Sequence, residues 1–193
     1  MPELVLLDKT FSKADLEQNP LVKGEYENCV FNNGQFAHGQ LGGYKFIDCV
    51  FNDCDLSLAQ LNRTVWQNVT FRGCKMLGLR FDTCEAFGLS FAFENCQLHH
   101  ASFYGTKIRK TIFKKCVLHE TDFATSDLSG SVFDGCDLTR ALFDRSNLEK
   151  ADFRTSYNFV IDPEINRIKK AKFSLSNISG LLVKYGIHIE NNL

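Results

Sequence analysis

Neither positive nor negative charge predominates in this chain. Its 22 Lys and Arg stand against 23 Asp and Glu, for a formal net charge of −1, so no global field draws in nucleic acid or an anionic membrane. Long apolar runs are missing as well. Leu4 to Leu7 is a run of four, preceded by Glu3 and followed by Asp8. It is too short and too acidic at its start for a secretory signal, and far too short to cross a bilayer. No other stretch approaches membrane length, and a cytoplasmic location is expected. No C-x-x-C pair occurs. Neither does a G-x-x-x-x-G-K phosphate loop, a G-x-G-x-x-G turn after a strand, an H-E-x-x-H zinc helix or a G-x-S-x-G nucleophile elbow. These absences argue against an enzyme and against a bound cofactor.

What is present is a five-residue period. Tyr26, Phe31, Phe36, Leu41, Phe46, Phe51, Leu56, Leu61, Trp66, Phe71, Met76 and Phe81 mark every fifth position. After a two-residue shift the series resumes at Phe93 and runs through Leu98, Phe103, Ile108, Phe113, Leu118, Phe123, Leu128, Phe133, Leu138, Phe143, Leu148 and Phe153. No centre is charged, and neither is any residue two before one. From Cys96 to Ala151 that second position is always Cys, Ala, Thr or Ser. A fixed short period over most of a chain implies a solenoid, in which stacked coils bury together what one coil cannot bury alone.

The eight cysteines obey the same period. Cys29, Cys49, Cys54, Cys74, Cys96, Cys116 and Cys136 each lie two before a large centre, and Cys84 precedes Ala86 in that phase. Free cysteine behaves as a small buried hydrophobe. All eight are expected reduced and mostly buried. Cys96, Cys116 and Cys136, twenty apart, are expected to stack about 4.8 Å apart, with parallel Cβ vectors that suit a disulfide poorly.

The motifs Ala14-Asp15-Leu16, Ala151-Asp152-Phe153, Ser126-Asp127-Leu128, Cys136-Asp137-Leu138 and Ser146-Asn147-Leu148 resemble the pentapeptide-repeat family, whose pattern is A-(D/N)-L-x-x. The resemblance covers about residues 11–180. It implies an all-β, right-handed quadrilateral β-helix with one pentapeptide per side. The expected organisation is a cap at 1–10, the repeat body at 11–175 and a carboxy-terminal helix and tail at 176–193.

The body is irregular twice. Residues 84–93 hold two residues too many, and a bulge is expected to let Phe87 replace Ala86 in the core. Over 156–170 the motif lapses for three pentapeptides and keeps phase, which predicts a degenerate coil turning at Asp162-Pro163, or a short helix from Pro163. Beyond it, Ile178, Leu181, Leu182 and Tyr185 fall at helical spacing, with Ser176 or Asn177 to cap the start and Gly186 to end it. Ile187 continues the apolar run. This stripe on a solenoid end either caps it or joins a second chain; a homodimer through Ile178, Leu181, Leu182, Tyr185 and Ile187 is expected.

Outward positions form columns at spacing twenty. Lys114, Asp134 and Arg154 share one, alternating in sign; His99 and His119, with His100 and Glu120 beside them, form another pair of neighbours. These are expected to be solvated faces, with no metal bound. Along the chain, Lys107, Arg109, Lys110, Lys114 and Lys115 make a basic block, and Glu120, Asp122, Asp127, Asp134, Asp137 and Asp144 follow with only Arg140 against them.

In size, Phe/Leu-centred coils and apolar carboxy terminus, the chain is similar to the Qnr and MfpA subset of the family. That resemblance implies a dimeric rod mimicking B-form DNA, which binds DNA gyrase or topoisomerase IV and protects it from quinolones, without contacting nucleic acid or membrane itself. Glu120, Asp122, Asp127, Asp137 and Asp144 are the candidate contacts. The other reading is a general scaffold for an unidentified protein partner, since this fold does not fix function.

Overall fold

The computed structural model describes residues 4–190. They wind as a right-handed, four-sided β-solenoid. Residues twenty apart lie over one another, and every inter-coil pairing is parallel. On the first side, β1 (Val5–Leu7), β3 (Glu25–Glu27), β5 (Lys45–Ile47) and β7 (Val65–Gln67) form a four-stranded sheet. On the second, β2 (Thr10–Phe11), β4 (Val30–Asn32), β6 (Val50–Asn52), β8 (Val69–Arg72), β9 (Phe91–Glu94), β10 (Ile112–Lys114) and β11 (Val132–Asp134) form a seven-stranded one. The third and fourth sides are held by single bridges, such as Val117 with Asp137 and Asp122 with Leu142.

The three-residue strands from β3 on bury their middle residue and turn its neighbours outward. The second side is the most ordered. Phe11, Phe31, Phe51, Phe71, Phe93, Phe113, Phe133, Phe153 and Phe173 stack in one column, ring over ring at 4.5–5.4 Å. Each such pair contributes roughly 0.5–1.5 kcal/mol beyond the area it buries. The second inward position does more than fill space. The Cys54 thiol donates to the Phe31 carbonyl at 3.4 Å, Cys136 to Phe113 at 3.3 Å, and the Thr121 hydroxyl to Leu98 at 2.9 Å. Each thus bonds the main chain of a centre one coil earlier. Cys, Ser and Thr recur there because they combine small size with a donor.

All eight cysteines are free; seven are buried and Cys84 is partly exposed. The column containing Cys96, Cys116 and Cys136 extends further than the spacing of twenty suggests. Lys75 bridges Gln97, so Cys74 lies beneath Cys96 and Cys54 beneath Cys74.

Most corners turn through the residue two after a centre, which takes the left-handed conformation; Thr83 and Thr155, after Phe81 and Phe153, do not. Glu120, Thr125, Arg140, Arg145 and Lys150 all have φ between 54° and 61°. Asparagine, aspartate and glycine suit that region, and they occupy many of the remaining corners.

Three expectations are corrected. Ala14-Asp15-Leu16 is not a coil. It lies in α1 (Lys13–Gln18), started by a capping box in which Ser12 and Asp15 bond one another's backbone. Phe87 does not enter the core: it is 83% exposed, while Leu89 and Phe91 are 8% and 7% exposed. Those two, at strand spacing, already fill the slot, and the extra residues loop outward through Gly88 at φ 75°. The carboxy-terminal stripe is not an α-helix. It forms two 3-10 turns, Ile178–Leu181 and Val183–Tyr185. The Gly180 carbonyl accepts from Ile161 N–H at 3.0 Å, whereas an α-helix would give it to Lys184. Neither Ser176 nor Asn177 caps the start. Asn177 Nδ2 instead donates to the carbonyls of Phe153 and Ser156. Gly186 does end the segment, at φ 60°.

Residues 156–170 keep phase, with Tyr157 bridged to Asp137 and Arg167 to Asn147. Asp162 turns the chain there, its carboxylate accepting from Glu164 N–H at 2.8 Å.

Candidate interaction surface

The five acidic candidates are spread over the solenoid. Asp127 lies on the first side, Asp137 on the third and Asp122 on the fourth; Glu120 and Asp144 sit at corners. Three of them share a structural task. The carboxylate of an Asp just before a centre accepts the backbone N–H two residues on: Asp122 from Ala124 at 2.8 Å, Asp127 from Ser129 and Asp137 from Thr139, both at 3.1 Å. Asn147 does the same for Glu149 at 3.2 Å. This Asx turn explains the D/N of the repeat, which the sequence reading treated as an outward position only.

Most of these carboxylates also face a cation. Arg109 lies 2.7 Å from Asp127, Arg140 2.7 Å and His100 3.4 Å from Glu120, His119 2.9 Å from Asp137, and Arg145 3.1 Å from Asp144. Burial pushes the Asp137 carboxyl up, but His119, Thr139 and Asn158 outweigh it and hold its pKa down to about 2. His99 meets His119 edge to face at 4.9 Å; burial, then the neighbouring histidines, lower the His99 pKa. Among the described residues no group of three or more His, Cys, Asp or Glu side chains could hold a metal ion. Lys114 pairs with Glu94 at 2.7 Å and Arg154 with Asp152 at 2.7 Å, so the column through Asp134 is not the ion-pair ladder its alternating signs suggested.

The carboxy-terminal candidates do gather at one end. Ile178, Tyr185 and Ile187 are exposed, and Leu181 and Leu182 half-buried. Ile189, in the same apolar tail, is exposed too, as are Leu175 and Val183, which helical spacing missed. The segment is moored to the last coil: Lys184 Nζ lies 2.7 Å from Asp162 and 2.6 Å from Glu164, and Tyr185 Oη donates to Glu164 at 2.8 Å. Between segment and coil lies a cavity of 660 Å³ lined by Arg140, Tyr157, Phe159, Val160, Gly180 and Val183. A groove of 330 Å³ along Leu182, Val183, Ile187 and Ile189 continues it. No helix among the described residues is long and apolar enough to cross a membrane.

Residues 89–157 match a family model described as a pentapeptide repeat region. This stretch is a pentapeptide-repeat region, and the coils on either side carry the same register. The chain is similar along nearly its whole length to two trypsin-treated forms of QnrB1, a plasmid-mediated fluoroquinolone resistance protein. One gives a TM-score of 0.62 at 20% identity, covering 97% of this chain and 98% of that one. The other gives 0.63 at 19%, covering 98% and 100%. HetL from Nostoc sp. strain PCC 7120, a pentapeptide repeat protein involved in heterocyst differentiation regulation, aligns over 90% of this chain and 85% of its own, with a TM-score of 0.42 at 14% identity. At these identities the likeness is one of fold. No curated protein matches the sequence.

Proposed function

We propose that the chain is a non-enzymatic interaction solenoid that binds a type II topoisomerase, DNA gyrase or topoisomerase IV, as a homodimeric rod shaped like duplex DNA, and thereby protects it from fluoroquinolones. The observation that carries this reading is the end-to-end match with the two QnrB1 forms, a fluoroquinolone resistance protein. The moored apolar segment supports the dimer: Ile178, Val183, Tyr185, Ile187 and Ile189 are 40–55% exposed at one end of the rod. Glu120, Asp122, Asp127, Asp137 and Asp144 stay as candidate contacts, along three sides and two corners. The test is a gyrase supercoiling assay with and without ciprofloxacin over a titration of the protein. Inhibition or protection at micromolar concentration is expected; neither effect, with no topoisomerase in a pull-down, removes the reading. Light scattering tests the dimer, and Val183→Glu with Ile187→Glu should give monomers that keep the β spectrum.

A second reading is favoured by the pairing of the acidic candidates with cations. A DNA mimic needs free carboxylates, since duplex DNA carries one charge per about 1.7 Å. A scaffold for some other protein partner needs none.

A further inference from the structure

The basic block absorbed by neither reading acquires a place in the fold. The corner between the first and second sides runs through Asp8, Asn28, Asp48, Asn68, Ser90, Lys110, Gly130, Lys150 and Lys170, because β1, β3, β5 and β7 fix one half of the register and β8 to β11 the other. Its first five rungs hold no cation. Its last four hold three lysines, all exposed. Beside them Lys107, Arg109, Arg167 and Lys169 are exposed too. Arg109 is engaged by Asp127 and Arg167 by Glu149. Lys107, Lys110, Lys150, Lys169 and Lys170 form no ion pair among the described residues. On a chain of net charge −1, Lys107, Arg109, Lys110, Lys150, Arg167, Lys169 and Lys170 thus share one flank after the insertion. Gly130 leaves a gap in the row, and beside it lies a hollow of 390 Å³ lined by Arg109, Lys110, Lys150 and Arg167 together with the paired carboxylates Asp127 and Glu149.

We propose that this flank binds the sugar–phosphate backbone of duplex nucleic acid, without reading sequence. The row from Lys110 to Lys170 spans three coil spacings, about 14 Å, and its lysines are flexible point charges suited to phosphates and unsuited to base-specific forks. Exposed aromatic side chains stand only at the flank's lower edge, where Phe87 and Tyr104 share a hollow with Lys107; the row from Lys110 to Lys170 itself carries none, so no stacking platform of the kind a single-strand binder uses runs along it. Nor does the row itself hold the apolar anchor around which a protein interface is built. This inference does not rest on the topoisomerase reading; because coating the DNA would itself inhibit supercoiling, quinolone protection and the topoisomerase pull-down speak for that reading and duplex binding in the absence of enzyme speaks for this one.

The test is fluorescence anisotropy with a labelled random-sequence 20-base-pair DNA duplex at 50–200 mM KCl. Micromolar binding at the low-salt end is expected, weakening steeply with salt. Lys110→Asn, Lys150→Asn and Lys170→Asn combined keep a side chain that tolerates the left-handed corner. They should weaken binding more than tenfold at 50 mM and flatten the log–log salt slope by about 3. Gly130→Lys should steepen it by about 0.9. Its new Cβ meets Lys110 Cγ at an ordinary 3.5 Å, so the fold has room for it. Lys115→Asn, on the next corner, should do little. No binding at 50 mM with 100 μM protein, or an unchanged affinity in the triple variant, overturns the proposal. So does polyglutamate or phosphatidylserine vesicles displacing the duplex equally well per charge, which would assign the flank to an acidic protein or a membrane surface.

Discussion

Replacing Thr125 by glycine should stabilise this protein. Most corners use a left-handed residue, and Thr125, at φ 57°, is the β-branched one among the non-glycine left-handed corners described. For an ordinary side chain that conformation costs roughly 1–2 kcal/mol, and a β-branched one suits it least. Thr125 gives nothing back through its exposed side chain; its backbone N–H bonds the Asp144 carbonyl at 2.8 Å, which glycine keeps. Glycine makes the unfolded chain more flexible, at a cost of about 0.5–1 kcal/mol. The net gain is about 0.5–1 kcal/mol, or a rise of about 1–4 °C in Tm at this chain length. One coil earlier the same corner is Gly105, at φ 65°. A Cβ there would lie 3.6 Å from Thr125 Oγ1, with no clash, so Gly105→Thr isolates the conformational cost and should lose a similar amount. Thermal denaturation by circular dichroism measures both. A lower Tm for Thr125→Gly, or a neutral Gly105→Thr, would refute the account of the corners.

Native thiol labelling should reach Cys84 first and the seven buried cysteines only slowly, since burial pushes even the Cys84 thiol up to about 12 and Cys49 to about 12; rapid labelling of most of them would contradict the packing. The Asp137 carboxyl, held down to about 2 when folded, adds stability that is complete above the unfolded value near 3.9 and is lost as pH falls toward 2. Asp137→Asn should therefore flatten the acid limb of the Tm–pH curve, and a wild-type curve with no dependence between pH 4 and 2 would count against it. Gly180→Ala should cost about 1–3 kcal/mol and release the carboxy-terminal segment, because a Cβ would meet the Phe159 ring and carbonyl. A variant with unchanged Tm and unchanged oligomeric state would show that the mooring is dispensable.

The solenoid was legible because its signal is a period: one large uncharged residue in five, from Tyr26 to Phe153, leaves no other way to bury them. What was not legible came from geometry that a period does not carry. The helix at Lys13–Gln18 hid beneath Ala14-Asp15-Leu16, since a capping box and a repeat motif share the same small-acidic-apolar letters. Phe87 was misplaced because hydrophobicity cannot say which of Phe87, Leu89 and Phe91 reaches the slot first. The carboxy-terminal stripe has helical spacing, yet the Gly180 carbonyl is taken by Ile161, a bond between residues nineteen positions apart in the chain. At the surface, residues adjacent in sequence proved to face different sides, which scattered the acidic run and left Lys107 to Lys110 to meet Lys150 and Lys170.

Whether the proposed partner reads charge or shape can be decided at the Asx turns. Asp122, Asp127 and Asp137 each hold a turn through one oxygen, and Asn147 holds its own with an amide oxygen. Asn at all three positions should therefore preserve the fold while removing three negative charges. If mimicry rests on ionised carboxylates, topoisomerase binding should fall and its salt dependence should weaken. Asp127 already faces Arg109 at 2.7 Å, so part of the field the three carboxylates project outward is cancelled. Binding within about twofold of the unmodified protein is thus the expected outcome, by titration in the supercoiling assay. Loss of binding without loss of β structure would show that the partner reads these carboxylates despite their cations. Retained binding would place recognition in the rod's outline and its apolar end, where Val183→Glu with Ile187→Glu should then abolish it.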